Sequence, residues 1–184
     1  MLEFNVDKIT IPLKQHVGGP CQPIVNVGDH VKRGQLVATP NGLGANIHTS
    51  LSGVVESVDE MNIVVKLDKE QSDDYVKLEP TDDHLQRIKD AGIVGVGGAG
   101  FPTGIKLSAQ IPGGYVIANA AECEPVLGHN VRYMEEHPEE LVRGLKYILK
   151  LTGAKEGYIA IKTKYRKALL ALGKACKDEP NISI

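Results

Sequence analysis

The chain has 184 residues and a formal net charge of −2, because 21 basic side chains are set against 23 acidic ones. This length can bury a core in one domain or two small ones, and the charge balance excludes a nucleic-acid binder that relies on a basic surface. No stretch approaches the roughly 18 consecutive apolar residues of a membrane-spanning helix. Glycine is over-represented, with 20 residues, or about 11% of the chain against an average of about 7%.

Residues 1–70 are predicted to form a small all-β domain. Short stretches rich in Val and Ile alternate with Gly, Pro, Asn and Asp, and no helical period fits them. The predicted strands are Ile9–Leu13, Ile24–Val27, Gln35–Ala38, Ala45–His48, Gly53–Val58 and Asn62–Leu67. They indicate a sandwich or barrel, followed by a polar linker or loop over residues 69–80.

Residues 71–184 are predicted to be an α/β domain, because strands alternate with helices as in a parallel sheet. The predicted helices start at Thr81–His84, run from Pro138 to a stop at Gly153, and cover Tyr165–Lys177. The predicted buried strands are Tyr115–Asn119, Gly157–Lys162 and the beginning of a strand at Asn181–Ile184. A sequence that stops on a new strand is expected to hold a truncated domain.

Eight of the 20 glycines lie between Gly92 and Gly114, most of them in the segment Gly95–Lys106. A glycine-rich loop that leads into a helix can turn backbone N–H groups and the positive end of the helix toward a phosphate. Pro102 suits the first turn of that helix. The segment lacks the Walker A pattern, and its G-x-G-x-x-G spacing is a weak signal alone. A tight structural turn therefore remains an alternative to phosphate binding.

Polar residues follow the predicted strand Tyr115–Asn119, in the stretch Asn119–Pro125. Ligands of α/β proteins bind at the carboxyl ends of strands, where Asn119, Glu122 and Glu124 are expected. An Asn amide can pair with a flat heterocycle, and carboxylates can hold ribose hydroxyls. A helix-capping loop with solvated acids is the alternative.

No metal site is predicted from the three cysteines or the six histidines. The cysteines contain no C-x-x-C pair, and the histidines lack metal-ligand spacing. His16 and His48 are the pair expected to come closest within the sandwich, where a structural role is favoured over metal binding. The irregular cysteines and the absence of a signal peptide favour a cytoplasmic protein.

The two segments Gly95–Lys106 and Asn119–Pro125 resemble the FMN and NADH site of the RnfC-like family. They resemble more distantly the flavoprotein subunit of respiratory complex I. The stretches Ile11–Gly18 and Val27–Gln35 are similar to the start of RnfC proteins. The resemblance covers nearly the whole chain and implies an α+β protein of two domains. Residues 1–70 would form a barrel-sandwich hybrid of the biotinyl/lipoyl type, and residues 71–184 an incomplete Rossmann-like FMN/NADH domain.

The resemblance also implies which residues hold FMN. Lys106 would contact FMN, and Asn119 would bond the edge of the isoalloxazine ring. The glycines along the phosphate and ring would be Gly95, Gly97, Gly98 and Gly100. Val96 stands where complex I has Arg, and Ala121 where it has Asp, so two contacts differ from that more distant relative.

A nicotinamide nucleotide is the second ligand that the resemblance implies. Glu122 and Glu124 would face it, and Phe101 would stack on its adenine. No side chain is expected to act as a nucleophile, general acid or general base, because the flavin carries the chemistry. The stretch Ala38–Ala45, at the position of the carrier hairpin, contains no lysine, which excludes a biotin or lipoyl carrier.

The implied function is electron transfer, with hydride passing from NADH to FMN and electrons passing to 4Fe-4S centres or a partner complex. Those iron–sulfur clusters are expected only in a C-terminal region beyond this sequence. The implied partners are subunits of a membrane-associated complex or a reductase, reached from the cytoplasmic face without a membrane span. The 184-residue chain alone is expected to bind FMN weakly or not at all and to be inactive.

Two alternatives accompany this interpretation. Cys21 and the stretch Pro40–His48 also resemble PrdC, the RnfC-like electron-transfer protein associated with proline reductase. In the other alternative, the chain is a non-catalytic docking module, and the glycine-rich segment is purely structural.

Overall fold

The computed structural model describes residues 6–96, 99–123 and 126–184. The chain divides into two compact units, Met1–Lys106 and Leu107–Ile184. In the described part of the chain, no helix combines the length and apolar character needed to cross a membrane.

The first unit contains two antiparallel sheets. Its strands are β1 (Lys8–Pro12), β2 (Gln22–Pro23), β3 (His30–Val31), β4 (Leu36–Thr39), β5 (Ile47–His48), β6 (Gly53–Val58) and β7 (Asn62–Leu67). One sheet has the order β1-β7-β6-β3 and the other β2-β4-β5. Val55 and Val65 from the first sheet share a core with Val37 and Ile47 from the second. This is the sandwich of short strands that the sequence predicts.

The predicted strand Ile24–Val27 is wrong. The strand in this region is β2, and Ile24 and Val27 are exposed. The chain turns instead, since the Asp29 carboxylate accepts a 2.7 Å hydrogen bond from the Asn26 N–H and the Asp29 N–H donates to the Asn26 carbonyl. A β-turn with an additional bond from a side chain to the backbone offers the backbone a local alternative to strand pairing.

The polar segment after β7 is irregular, as predicted, but it packs onto the sandwich. The amide side chain of Gln71 spans Ser52, accepting from its N–H at 2.9 Å and donating to its carbonyl at 2.8 Å. The Val76 N–H donates to the Arg33 carbonyl. The first compact unit therefore extends well beyond residue 70, and the predicted domain boundary at residues 70 and 71 stays a prediction.

Among its described residues, the first unit also has two short helices, α1 (His84–Asp90) and α2 (Thr103–Lys106). The predicted start of α1 is confirmed, because Asp83 caps it by accepting a 2.9 Å hydrogen bond from the Gln86 N–H. The helix expected behind the glycine-rich loop is α2, and it is a single turn of four residues.

The second unit contains a parallel sheet with helices. Its elements are β8 (Tyr115–Asn119), α3 (His129–Glu136), α4 (Pro138–Thr152), β9 (Glu156–Ala160), α5 (Arg166–Ala175) and β10 (Ile182–Ser183). The strand order is β10-β9-β8, and both pairings are parallel. The predictions for α4 are confirmed, with Pro138 in the first turn and Gly153 in a left-handed conformation (φ +68°) after the last.

The helices of the second unit share a core with one face of its sheet. Ile159 on β9 is buried among residues of α3, α4 and α5, whereas Ile117 on β8 points to the opposite face and is 67% exposed. Because successive residues of a strand alternate between faces, the packing fixes which side chains β8 and β9 offer to solvent. The sheet also brings the carboxyl ends of β8 and β9 side by side.

Candidate functional site

The glycine-rich segment in the first unit folds back on itself. Val94 forms an antiparallel bridge with Pro102. The Gly95 N–H donates to the Phe101 carbonyl at 2.9 Å, and the Thr103 N–H donates to the Ile93 carbonyl at the same distance. These bonds close the base of a narrow loop. Two of the predicted site residues, Gly97 and Gly98, lie outside the described residues.

Phe101 and Lys106 lie together beside the base of this loop. The Lys106 Nζ atom is 5.8 Å from the centroid of the Phe101 ring, within the range of a cation–π contact. The ring is 37% exposed, so it retains a surface on which a planar ligand can stack. Phe101 therefore contacts both ends of this group of predicted site residues. Its carbonyl accepts from the Gly95 N–H, and its ring lies beside the Lys106 ammonium. The single turn of α2 adds little dipole, since peptide dipoles sum along a helix.

A cavity of about 300 Å³ borders the same segment. Its walls are the loop between β4 and β5, the helix α1 and the residues that follow the glycines. Lys89 contributes its aliphatic stem, which lies so close to Gly104 that a Cβ there would be 2.4 Å from the Lys89 Cγ atom. The chain needs glycine at position 104 for this packing, independently of any ligand.

The carboxyl end of β8 carries the predicted polar residues of the second unit. Asn119 is the last residue of β8 and is exposed, and its Oδ1 atom accepts a 3.2 Å hydrogen bond from the Ala121 N–H. The Glu122 carboxylate accepts a 2.8 Å hydrogen bond from the side chain of Asn130 in α3. Glu124 lies outside the described residues. The loop after β8 is therefore tied to the start of α3.

Lys162, which follows the neighbouring strand β9, is hydrogen-bonded to this loop. Its Nζ atom donates a 2.6 Å hydrogen bond to the backbone carbonyl of Glu122, and the Tyr165 hydroxyl donates to the same oxygen at 3.5 Å. The sequence offered one signal, the basic run Lys162–Lys167, which fits either a solvated face or the vicinity of a phosphate. The partner of Lys162 lies 40 residues away in the chain, and that separation hides the contact from sequence reasoning.

A pocket of about 840 Å³ opens at this edge of the second unit. Its lining combines cations and carboxylates with a few apolar side chains. Arg132 is paired with Glu136 one helical turn later at 2.8 Å, whereas Lys164 lies over the ring of Tyr165 at 5.0 Å. An open, mixed-charge pocket at the carboxyl ends of parallel strands is the usual position of a nucleotide site in α/β proteins.

In the first unit, the exposed Lys106 ammonium can pair with a phosphate, and the exposed Phe101 ring offers an apolar surface to an isoalloxazine ring. In the second unit, the exposed Asn119 side chain offers an amide for hydrogen bonding. Each unit, taken by itself, therefore holds groups that are compatible with FMN.

No group of three or more His, Cys, Asp or Glu residues is arranged for a metal ion in the part of the chain that the structure describes. His16 is hydrogen-bonded to Val17 and Ala45 and lies 3.5 Å from the Cys21 sulfur. Burial raises the pKa of the Cys21 thiol, which keeps it protonated and unreactive.

Comparison with known protein families gives two matches that divide the chain. The RnfC barrel sandwich hybrid domain matches residues 4–77. The Nuo51 FMN-binding domain matches residues 88–184, which is more than half of the chain.

Curated relatives match most of the chain, and each is named as one subunit of an oxidoreductase complex. The relative from the proton-translocating ferredoxin:NAD(+) oxidoreductase complex of Clostridium ljungdahlii is 36% identical over 92% of this chain and 41% of that protein. The relative from the Na(+)-translocating ferredoxin:NAD(+) oxidoreductase complex of Acetobacterium woodii is 36% identical over 97% of this chain and 44% of that protein. The relative from the ion-translocating oxidoreductase complex of Serratia proteamaculans is 33% identical over 97% of this chain and 28% of that protein. The chain thus spans less than half the length of these relatives.

Proposed function

We propose a function from the premise that this chain belongs to the RnfC-like family and carries a Nuo51 FMN-binding domain. It is an electron-transfer flavoprotein module from a subunit of an Rnf-type complex. The observation that carries the proposal is the position of Lys106 beside the exposed ring of Phe101, at the base of the folded glycine segment. A cation and an aromatic surface on one segment match the phosphate and the ring of a flavin mononucleotide.

In the proposed site, Gly95, Gly97, Gly98 and Gly100 lie along the FMN phosphate and ring. Lys106 neutralises phosphate charge, and Asn119 bonds the ring edge. When bound, the flavin supplies two-electron acceptance from NADH and the release of electrons to iron–sulfur centres or a partner protein. The protein binds and orients the cofactor and keeps it in an environment that tunes its potential.

In the proposed nucleotide site, Glu122 and Glu124 face NADH, and Phe101 stacks on its adenine. The tie from Lys162 to the Glu122 carbonyl supports this assignment, because it fixes the loop that carries both carboxylates. The Rossmann-like character of the second domain belongs to the same proposal. It is supported by the parallel pairing of β10, β9 and β8 and by Asn119 at the carboxyl end of β8.

The proposed partners are the other subunits of an ion-translocating complex, because the relatives are named as subunits of such complexes. Iron–sulfur clusters belong in this proposal to a region outside the present sequence. The chain would sit at the cytoplasmic face of the membrane through its partner subunits. Supply of electrons to proline reductase, as in PrdC, remains an alternative on the sequence resemblance alone.

Titration with FMN, followed by flavin fluorescence, tests the proposal. Saturable binding is expected, however weak, and Lys106→Ala should raise the Kd about tenfold, which corresponds to 1.4 kcal/mol. Lys8→Ala is the matched control, since it removes an equally exposed cation whose ion pair with Glu56 lies in the sandwich. Saturable binding that Lys106→Ala weakens no more than Lys8→Ala does would favour the docking module instead.

A further inference from the structure

The geometry of the first unit points to His16 as a positioning residue for the glycine-rich segment. It holds together two loops of the sandwich, residues 15–18 and 43–46, on which that segment rests. The positioning role of His16 is inferred from contacts within the first unit. Only its expected effect on FMN binding rests on the proposed function.

Both ring nitrogens of His16 have backbone partners. The Nε2 atom lies 3.1 Å from both the nitrogen and the carbonyl oxygen of Ala45. The Val17 carbonyl can only accept, so the Nδ1 atom carries a proton and donates to it at 3.0 Å. The ring is buried, so each of these bonds replaces one to water. The imidazole thereby links residues that are 29 positions apart in the chain.

The first of the two loops contacts the glycine segment directly. The Val17 N–H donates a 2.8 Å hydrogen bond to the Ala99 carbonyl. Gly100 follows in a left-handed conformation (φ +60°), and a Cβ there would lie 3.4 Å from the Gln15 carbonyl oxygen and the His16 Cα atom. The backbone around His16 is thus the surface against which residues 99 and 100 pack.

The second loop contacts the entrance to the same segment. The Asn46 side chain donates to the Asp90 carbonyl at 3.3 Å. Gly92 (φ +65°) packs so closely that a Cβ there would lie 2.2 Å from the Asn46 carbonyl oxygen. His16 therefore connects the loop that supports residues 99 and 100 with the loop that supports residues 90–92. Both ends of the glycine segment depend on this connection.

Amide hydrogen exchange by NMR tests the inference with three variants. His16→Leu removes both hydrogen bonds, whereas His16→Gln keeps an amide that can accept from Ala45. Val65→Ala is the control, since Val65 is fully buried in the sandwich on β7 but contacts neither loop in its strand register. Exchange of the β6 and β7 amides reports global opening of the sandwich. Exchange of the Val17 and Gly95 amides reports whether the glycine segment stays packed on it.

In His16→Leu, the Val17 and Gly95 amides should exchange about tenfold faster relative to the β6 and β7 amides. In Val65→Ala, all of these amides should accelerate together. His16→Gln should restore at least part of the lost protection. Equal acceleration of all amides in His16→Leu, or no difference between the Leu and Gln variants, would overturn the inference.

If His16→Leu does not fold, Gly44→Ala decides the matter. A Cβ at position 44 would lie 2.8 Å from the His16 Cε1 atom and 2.6 Å from the Pro40 Cβ atom, so it displaces the ring without removing its nitrogens. Selective loss of protection at Val17 and Gly95 supports the positioning role, and its absence contradicts it.

A parallel FMN titration separates this inference from the proposed function. If the unmodified chain binds FMN, His16→Leu should weaken binding and change the flavin absorption spectrum, whereas Val65→Ala should change neither once the protein is folded. If the unmodified chain does not bind FMN, the exchange data alone decide whether His16 positions the segment.

Discussion

The Lys162 ammonium donates a 2.6 Å hydrogen bond to the backbone carbonyl oxygen of Glu122. Lys162 follows β9 and Glu122 follows β8, so the bond joins the loops at the carboxyl ends of two neighbouring parallel strands. The Glu122 carboxylate is held separately by Asn130. The loop with the proposed nucleotide-binding residues is thus fixed through both its backbone and its side chain.

Replacement of Lys162 by Met should loosen this loop. The bond to a charged donor is partly exposed to solvent, so we expect a loss of about 1 kcal/mol of local stability. The Ala121 and Glu122 amides, which donate to Asn119 and Ala120, should therefore exchange roughly fivefold faster. Lys164→Met is the matched control, since it removes a nearby exposed cation. Similar exchange rates of the Ala121 and Glu122 amides in both variants would show that Lys162 does not stabilise the loop.

Gly100→Ala should destabilise the first unit. A residue with a side chain pays about 1–2 kcal/mol for the left-handed conformation, and the added Cβ presses on the backbone of residues 15 and 16. Urea unfolding measures the loss. Gly19→Ala should cost far less, because the space around that glycine is open. Equal losses in both variants would argue against the packing described for Gly100.

Shortening a side chain to Ala should cost much stability on the buried face of the sheet in the second unit and almost none on the exposed face. Ile159→Ala opens a cavity at a side chain that is 1% exposed, for which about 2–5 kcal/mol is expected. Ile117→Ala removes a side chain that already faces solvent, so its effect should stay within about 0.5 kcal/mol. A large loss from Ile117→Ala in urea unfolding would mean that this face is covered in solution.

The stability of the first unit should fall in mild acid because of His48. Partial burial lowers the pKa of its imidazole below 6.5 in the folded state, so the unfolded chain binds the proton first. Stability from the neutral form is complete above pH 6.5 and is lost as the pH falls through the folded pKa. Urea unfolding at several pH values should show a steeper acid loss than in His48→Gln, and parallel curves would contradict this.

The three free cysteines should react with a thiol reagent in a fixed order. Cys123 is exposed, Cys176 is half-buried and Cys21 is buried, and burial raises the pKa of both Cys176 and Cys21. Cys123 should be labelled first, and Cys21 only when the sandwich opens. Mass spectrometry of partially labelled protein gives the order. Early labelling of Cys21 would contradict the packing around His16.

The sequence predicts regular elements best where one short pattern determines them. β7 is predicted to the residue because a short run rich in Ile and Val stands between turn residues, and Ile63 and Val65 are indeed buried. The helix α4 is predicted at both ends by Pro138 and Gly153. The helix α3 is missed, since only Val131 and Met134 are buried in an otherwise polar stretch. Weak periodicity of that kind does not distinguish a helix from a loop.

The candidate site divides in the same way. The glycine segment and Asn119 are conspicuous in the sequence, because their residue types and order resemble one family. Lys162 and Asn130 are not, since their roles depend on a partner far along the chain or on an adjacent element. His16 is expected from the sequence to be structural rather than a metal ligand, but its partner Ala45 lies 29 residues away. Such contacts follow from tertiary packing, which no local spacing encodes.

The most direct test of the central claim is an NMR titration of the 184-residue chain with FMN, which detects binding even in the millimolar range. Saturable shifts are expected for the amides of Gly95, Gly100, Phe101, Lys106 and Asn119, with the amides of β6 and β7 unchanged. Saturable shifts that leave these five residues unaffected would contradict the assignment of the glycine segment as a flavin site.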